Sequence, residues 1–390
     1  MENQVISPQN TRNKNIDLMK GICIIFMIIG HTALVEKFVF GVIYLFYMAV
    51  FFIASGFLFK SKYTDSIKMF GVFIVKKLKG LWLPFFLFTE LFIVLNNLFI
   101  YLNIYLTAVP ASLDSTLKYS MSEYMNVKSV LMSIPNTVIM DNATHMGGAL
   151  WFFKTLFYVL VFYAICDYII KKISQNKRVQ LFIQGVVSVV LSAIGFYCSL
   201  HNVLTYSWGR IASVYILIYI GVLFRKLDII KRLFEVSHKW IVNTLLIIVN
   251  SFVLVLCYVK IDTIAIDQNS YVNPVYFVIS SLLGFFFVSS VSNILIYLNL
   301  RINTLLAYIS KRAVSIIALH FLCFKLVSYL GIVIYGIDQR YLAAFPVLFK
   351  NGVWWLLYTV VGISIPLFLD YFYLMAKESI MKRVRPSQIN

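Results

Sequence analysis

Charge is scarce in this chain, and acidic charge is the scarcest. Asp, Glu, Lys and Arg make up 13% of the 390 residues, 16 of them acidic against 34 basic. With 61% hydrophobic residues and a mean hydropathy of +0.85, a soluble domain is excluded. Several apolar runs exceed the roughly 18 residues that mark a membrane helix. Cysteine is sparse too: Cys23, Cys166, Cys198, Cys257 and Cys323 lie at irregular spacings within apolar runs. Their odd number and scatter argue against a disulfide framework or a zinc site, and no metal is expected. No Gly-rich phosphate loop occurs, which argues against ordinary ATP-driven transport. No short apolar stretch is followed by a cleavage site, so no removable signal peptide is expected and the first span serves as its own anchor. Repeats, low-complexity tracts and a second domain are lacking as well, so residues 1–390 read as one unit.

What is present is an all-α, polytopic pattern. Ten spans are predicted, at about 18–35, 39–59, 81–102, 148–170, 179–200, 208–225, 240–259, 272–295, 313–335 and 353–375. Basic residues set the orientation, because they are retained in cytoplasmic loops. With the N-terminus inside, 24 of the 34 fall in cytoplasmic segments and only six (Lys37, Lys118, Lys128, Lys260, Arg340 and Lys350) in outer ones. Both tails, about 1–17 and 376–390, are therefore expected in the cytoplasm. The long segment 103–147 is expected outside, as a cover over an outer cavity. The net charge of +18 is then chiefly a topology signal, with attraction to anionic inner-leaflet lipid as a by-product. The charges are spread over many short loops with no nucleic-acid-binding module, so no nucleic-acid partner is expected.

Polar side chains at membrane depth are costly, which makes them the first place to look for function. Lys20, His31, Glu90, Lys154, Arg210, His320, Lys325 and Asp370 qualify. Lysines near span ends also snorkel, which suits Lys20 and Lys154 equally well. Glu90 and His320 read equally as architecture or as catalytic groups. His320 with Cys323 offers only two metal ligands, too few for a site. His31 stands out by its depth. Eleven residues separate it from Lys20, so the two share a helix stripe roughly 16 Å long. A second cluster, Lys76, Lys77 and Lys79, sits at the cytoplasmic mouth of the third span. Positive-inside charge alone accounts for it, but several ammonium groups at a helix start also suit a polyanion.

The run Asn15-Ile-Asp-Leu-Met-Lys20-Gly followed by His31-Thr32, then Phe46-Tyr-Met-Ala-Val-Phe-Phe52-Ile-Ala-Ser55-Gly56-Phe-Leu-Phe59, then the basic run ending at Pro84, resembles the membrane-bound acyltransferase family 3. Its fucose 4-O-acetylase-like branch is the nearest in pattern. Ala149-Leu-Trp151-Phe-Phe153 is similar to the family's Leu-Trp-Phe stretch, and Ser315 to His320 to its late Ser-x4-His helix. The resemblance implies a plasma-membrane O-acetyltransferase that moves an acetyl group from cytoplasmic acetyl-CoA to a hydroxyl of an extracytoplasmic or lipid-linked glycan. It implies His31 as the central catalytic residue, Lys20 at the family's basic position, and Lys76, Lys77 and Lys79 near the coenzyme. Three positions depart from the family pattern: Lys20 for arginine, Tyr47 for histidine and Gly80 for arginine. Lysine lacks arginine's bidentate fork.

Imidazole titrates near neutral pH, so His31 can deprotonate a sugar hydroxyl or carry the acetyl group itself; the sequence leaves both routes open. The competing class is a flippase or transporter of lipid-linked oligosaccharides, or a scaffold in a glycan-assembly complex. The ordered motifs favour the enzyme. The acceptor, the acyl chain length and homo-oligomer formation stay open.

Overall fold

The computed structural model describes residues 13–32, 37–201, 203, 206–227, 239–261 and 264–384. Several expected features lie outside the described residues: most of the N-terminal tail, the end of the first span, the connection 228–238 and the tail beyond 384. The described chain is helical throughout, with only isolated β-bridges besides.

Local chemistry explains where the helices begin and end. Helix α1 (Lys14–His31) starts behind Asn13, whose side chain accepts the N–H of Ile16, and carries Asp17 in its first turn, where the helix dipole favours an anion. Short α2 (Lys37–Tyr44) and α3 (Tyr47–Phe57) follow. Helix α4 (Ile67–Lys77) passes through a π-helical turn at Leu78–Trp82 into α5 (Leu83–Val94) and α6 (Asn96–Tyr101). Helix α7 (Val127–Val138) lies within the long 103–147 segment and packs on α5. The long helices α8 (Trp151–Ile173), α9 (Lys177–His201), α10 (Tyr206–Lys226), α11 (Trp240–Lys260) and α12 (Pro274–Leu298) come next. Short α13 (Ile302–Lys311), then α14 (Ala313–Tyr335) and α15 (Trp354–Val384), complete the order. Proline opens α12 behind the capping side chain of Asn273, and α14 stops at Gly336, whose φ of 61° suits glycine.

Among the described residues, eight helices are long and apolar enough to cross a membrane: Phe38–Phe57, Gly148–Ile173, Lys177–His201, Ser207–Lys226, Trp240–Lys260, Pro274–Leu298, Ala313–Tyr335 and Trp354–Ser379. Two of the ten expected runs fall short of that measure for definite reasons. Helix α1 carries Lys14, Asp17 and Lys20 within its 18 residues. The run expected at 81–102 breaks at Leu95 into two short helices.

Helix α1 is the hub, contacting α3, α12, α13, α14 and α15. Its polar first turns are built into the core: the Asn15 amide donates to Asn293 Oδ1 (2.5 Å) and the Ser289 carbonyl (3.2 Å), and Asn293 in turn donates to Asn243 (3.1 Å). At Gly21 the backbone touches α13 directly, since a Cβ there would fall 2.4 Å from the Leu306 carbonyl oxygen.

The bundle has two distinct ends. At one, Lys171 bonds the Ser61 carbonyl and Asp65, and Arg225 bonds the carbonyls of Phe57 and Phe59. At the other, the 103–147 segment pairs with residues 343–345, through Ser120 to the Ala343 carbonyl (2.9 Å) and Phe345 to the Lys118 carbonyl (2.8 Å). The first is called the basic end below and the second the loop end.

Candidate functional site

Helices α1 and α14 bring together His31 and His320. Their ring centroids lie 5.3 Å apart at an interplanar angle of 24°, a stacked pair. Phe321 closes the side, edge-on to His31 at 4.8 Å and 4.1 Å from His320. His320 is fully buried, and its Nδ1 lies 3.0 Å from the Ile316 carbonyl oxygen. A carbonyl can only accept, so Nδ1 carries the proton and Nε2 keeps a lone pair. That Nε2 is buried and has no hydrogen-bond partner. An unsatisfied buried acceptor is costly and calls for an explanation, of which a bound water, an ion and a catalytic role are the usual ones.

His31 also lines a cavity of about 10 Å³ beside Tyr44, Tyr47, Trp151 and Asp267, room for roughly one water or one hydroxyl. The wall opposite His31 is polar and fixed. The Tyr44 hydroxyl donates to Asp267 Oδ1 (3.3 Å). Arg210 donates through Nη1 to the Asp267 carbonyl (2.5 Å) and through Nε to Thr155 (2.8 Å), while its guanidinium lies 4.6 Å over the Trp151 ring. Burial raises the Asp267 carboxyl above the usual range, against the opposing pull of Arg210 and the Tyr44 hydrogen bond. Tyr47 is part of this wall.

A roughly continuous run of rings leads from the pair toward the loop end. Phe345 lies 4.8 Å from Phe321, and exposed His145 lies 5.7 Å from Phe345 and 6.0 Å from Tyr105. Burial and nearby Lys325 hold His145 below its ordinary value.

At the basic end, Lys20, Lys76 and Lys77 line a pocket of about 330 Å³ together with Ser55, Tyr63 and Phe73. Among the described residues, none lining it is acidic. Lys76 donates to the Tyr63 hydroxyl (2.9 Å), and Lys77 lies 5.3 Å from the Phe73 ring centroid. Burial, with Lys20 and Lys76 close by, pushes Lys77 down to about 8. Helix α1 thus joins the two places, with Lys20 in the basic pocket and His31 in the histidine pair.

Two expected members fall elsewhere. Lys79 is exposed and is not part of the pocket wall. Glu90 sits half-buried on α5 with Oε1 unpartnered, and among the described residues it makes no hydrogen bond or ion pair to either histidine. The expected helix start at the lysines is also corrected. Lys76 and Lys77 occupy the last turn of α4, which runs on through the π turn, so no N-terminal dipole is aimed into the pocket.

The other polar residues at depth are engaged in architecture. Lys154 pairs with Asp141 and bonds Ser207 (3.1 Å). Lys325 donates to the carbonyls of Leu342 (3.0 Å) and Ala344 (2.6 Å). Asp370 pairs with Arg312 (3.0 Å) and accepts from Ser315 (3.0 Å). Sequence reasoning missed Asp267, Phe345 and His145. Only the scarcity of acidic residues pointed to Asp267, and nothing pointed to the other two.

Fold and site define a class: a multi-pass helical membrane protein with a stacked histidine pair linked along one helix to a basic pocket. Residues 13–371 match the sequence profile of acyltransferase family 3, described as an acyltransferase domain, so the chain belongs to that family. No curated protein and no solved structure matches it.

Proposed function

We propose that this membrane acyltransferase moves an acetyl group from cytoplasmic acetyl-CoA to a hydroxyl of an extracytoplasmic or lipid-linked glycan, in the plasma membrane and with both termini in the cytoplasm. The single observation that carries this reading is the open Nε2 of His320, stacked on a histidine whose own helix also supplies Lys20 to the basic pocket. The anionic end of the coenzyme rests against Lys20, Lys76 and Lys77, where phosphate replaces mutual repulsion with attraction. Its flexible arm runs beside α1 toward His31, a rise of roughly 16 Å.

The acceptor approaches from the loop end, where the faces of Phe345 and His145 suit the apolar faces of sugar rings. One hydroxyl enters the cavity between His31, Asp267 and Tyr44. The imidazole pair takes the hydroxyl proton as the oxygen attacks the thioester carbonyl. The carbon–sulfur bond then breaks, and the leaving thiolate recovers the proton from the imidazolium. No charge is left behind, and the pair returns to its starting state.

The test is transfer from labelled acetyl-CoA to membrane glycan by purified, reconstituted protein. His31→Ala should cut the rate by about 10²–10⁴, the usual worth of a positioned acid–base group, with coenzyme binding retained. A His31→Ala protein that binds the coenzyme and transfers at near the parent rate would overturn the assignment.

A further inference from the structure

The basic end holds a second cationic pocket, of about 420 Å³, that the transfer reaction does not use. Lys14, Arg301 and Lys311 line it, with Asn303, Thr304 and Tyr308 between them, and among the described residues none lining it is acidic. Two helices begin there, α1 at Lys14 and α13 at Ile302, each of them long enough to bring a positive dipole end. Asn303 is buried. Its amide donates to the Leu295 carbonyl (2.7 Å), but its Oδ1 has no partner.

Leu300 also lines this pocket and is about half exposed. In a membrane protein such side chains face acyl chains. The juxtaposition of three cations, polar hydroxyl and amide groups and an exposed apolar side chain fits a molecule that is a phosphate at one end and hydrocarbon at the other.

We propose that the pocket formed by Lys14, Arg301 and Lys311 is a binding site for an anionic phospholipid. The phosphate lies among the three cations, a headgroup hydroxyl donates to Asn303 Oδ1, and the acyl chains leave past Leu300. The occupant bears on α1, because α13 touches that helix at Gly21, next to Lys20. The lipid therefore braces the helix that carries both Lys20 and His31.

The site is tested by binding alone, so its failure leaves the acyl-transfer reading untouched. Full-length protein is titrated with phosphatidylglycerol, whose glycerol hydroxyls can donate to Asn303, or with phosphatidylcholine, and bound lipid is counted by native mass spectrometry. One cation near an anionic lipid is worth about fivefold in affinity, so the variant Lys14→Gln/Arg301→Gln/Lys311→Gln should lose about a hundredfold for phosphatidylglycerol. It should keep its affinity for acetyl-CoA. Lys311→Gln alone, an exposed change that leaves the fold intact, should lose about fivefold. Equal retention of the two lipids, or undiminished phosphatidylglycerol binding in the triple variant, would overturn the proposal. Displacement of the lipid by inorganic phosphate below millimolar concentration would instead make the pocket a free-phosphate site, and would equally overturn it.

Discussion

Replacing His320 by leucine should leave the protein at least as stable while removing its activity, and the structure sets the size of both effects. His320 is fully buried, and its two ring nitrogens have different fates. Nδ1 bonds the Ile316 carbonyl at 3.0 Å, and Nε2 has no partner. Losing the first costs about 0.5–1.5 kcal/mol, the usual net worth of one hydrogen bond. Removing the second relieves a buried unsatisfied acceptor, which costs about 1–3 kcal/mol while it is there. Leucine fills a similar volume between Phe321 and Phe324, so little cavity opens. The balance is centred on a gain of about 1 kcal/mol, within a range of about −0.5 to 2.5. Activity moves the other way, because leucine can neither accept a proton nor stack as an imidazole beside His31. The loss should reach about 10²–10⁴ in rate. Thermal unfolding of the purified protein and transfer from labelled acetyl-CoA, measured on the same preparation, read both quantities. His320→Asn, whose amide can keep the bond to Ile316 without restoring Nε2, should also be stable and inactive. Either variant transferring at near the parent rate would refute the reasoning. So would a loss of more than about 2 kcal/mol in stability for the leucine variant, because Nε2 would then have been a structural asset.

Lys77, held down to about 8, is charged below that pH and neutral above it. The Michaelis constant for acetyl-CoA should therefore rise as pH passes upward through about 8, and Lys77→Arg should flatten the rise; a profile unchanged by the substitution removes Lys77 from the coenzyme site. Neutralising Lys20, Lys76 and Lys77 together to glutamine should weaken coenzyme binding strongly without affecting insertion, and unchanged affinity by equilibrium binding would exclude the pocket. For topology, Ser115→Cys should be labelled from outside intact cells by an impermeant thiol reagent and Ser174→Cys should not; labelling only at 174 inverts the arrangement.

Hydropathy located helices well where one helix is one apolar run. The run 313–335 coincides with α14, and 240–259 falls short of α11 by one residue. It failed where the break is marked only by a pair of polar residues within an otherwise apolar run. Leu95 ends α5 directly before Asn96 and Asn97, whose side chains donate to the carbonyls of Glu123 and Met125, so asparagine rather than glycine or proline marks the interruption. The basic cluster was legible as composition, but not as geometry. The π turn at Leu78–Trp82 decides whether the lysines face a helix start or a helix end, and spacing does not register it. The placing of Lys20, Lys76 and Lys77 toward one end of the bundle was legible, although no pattern announced that they share a pocket. The meeting of His31 with His320 did not, because periodicity is a property of one helix and the pair belongs to two helices far apart in the chain.

Hydrogen-bond satisfaction separates the polar residues that hold the bundle from those available for chemistry. Lys154, Arg210, Lys325 and Asp370 each find an ion pair, carbonyl or hydroxyl partner. A buried polar group in this setting is expensive unless paired, so pairing fully explains why those four are tolerated. His320 is different, because one nitrogen is spent in fixing the ring and the other is left open beside a second imidazole. The fold bears that cost at a point that shares helix α1 with the lysine pocket and adjoins the ring contacts running through Phe321 and Phe345 to His145. A purely structural histidine would have no need of either connection. Glu90 also keeps an open oxygen, yet among the described residues it makes no bond to either histidine. Open valence alone therefore does not carry the proposed site; open valence beside a second imidazole, on the helix that also supplies Lys20, does, and it is on that ground that we propose the His31–His320 pair.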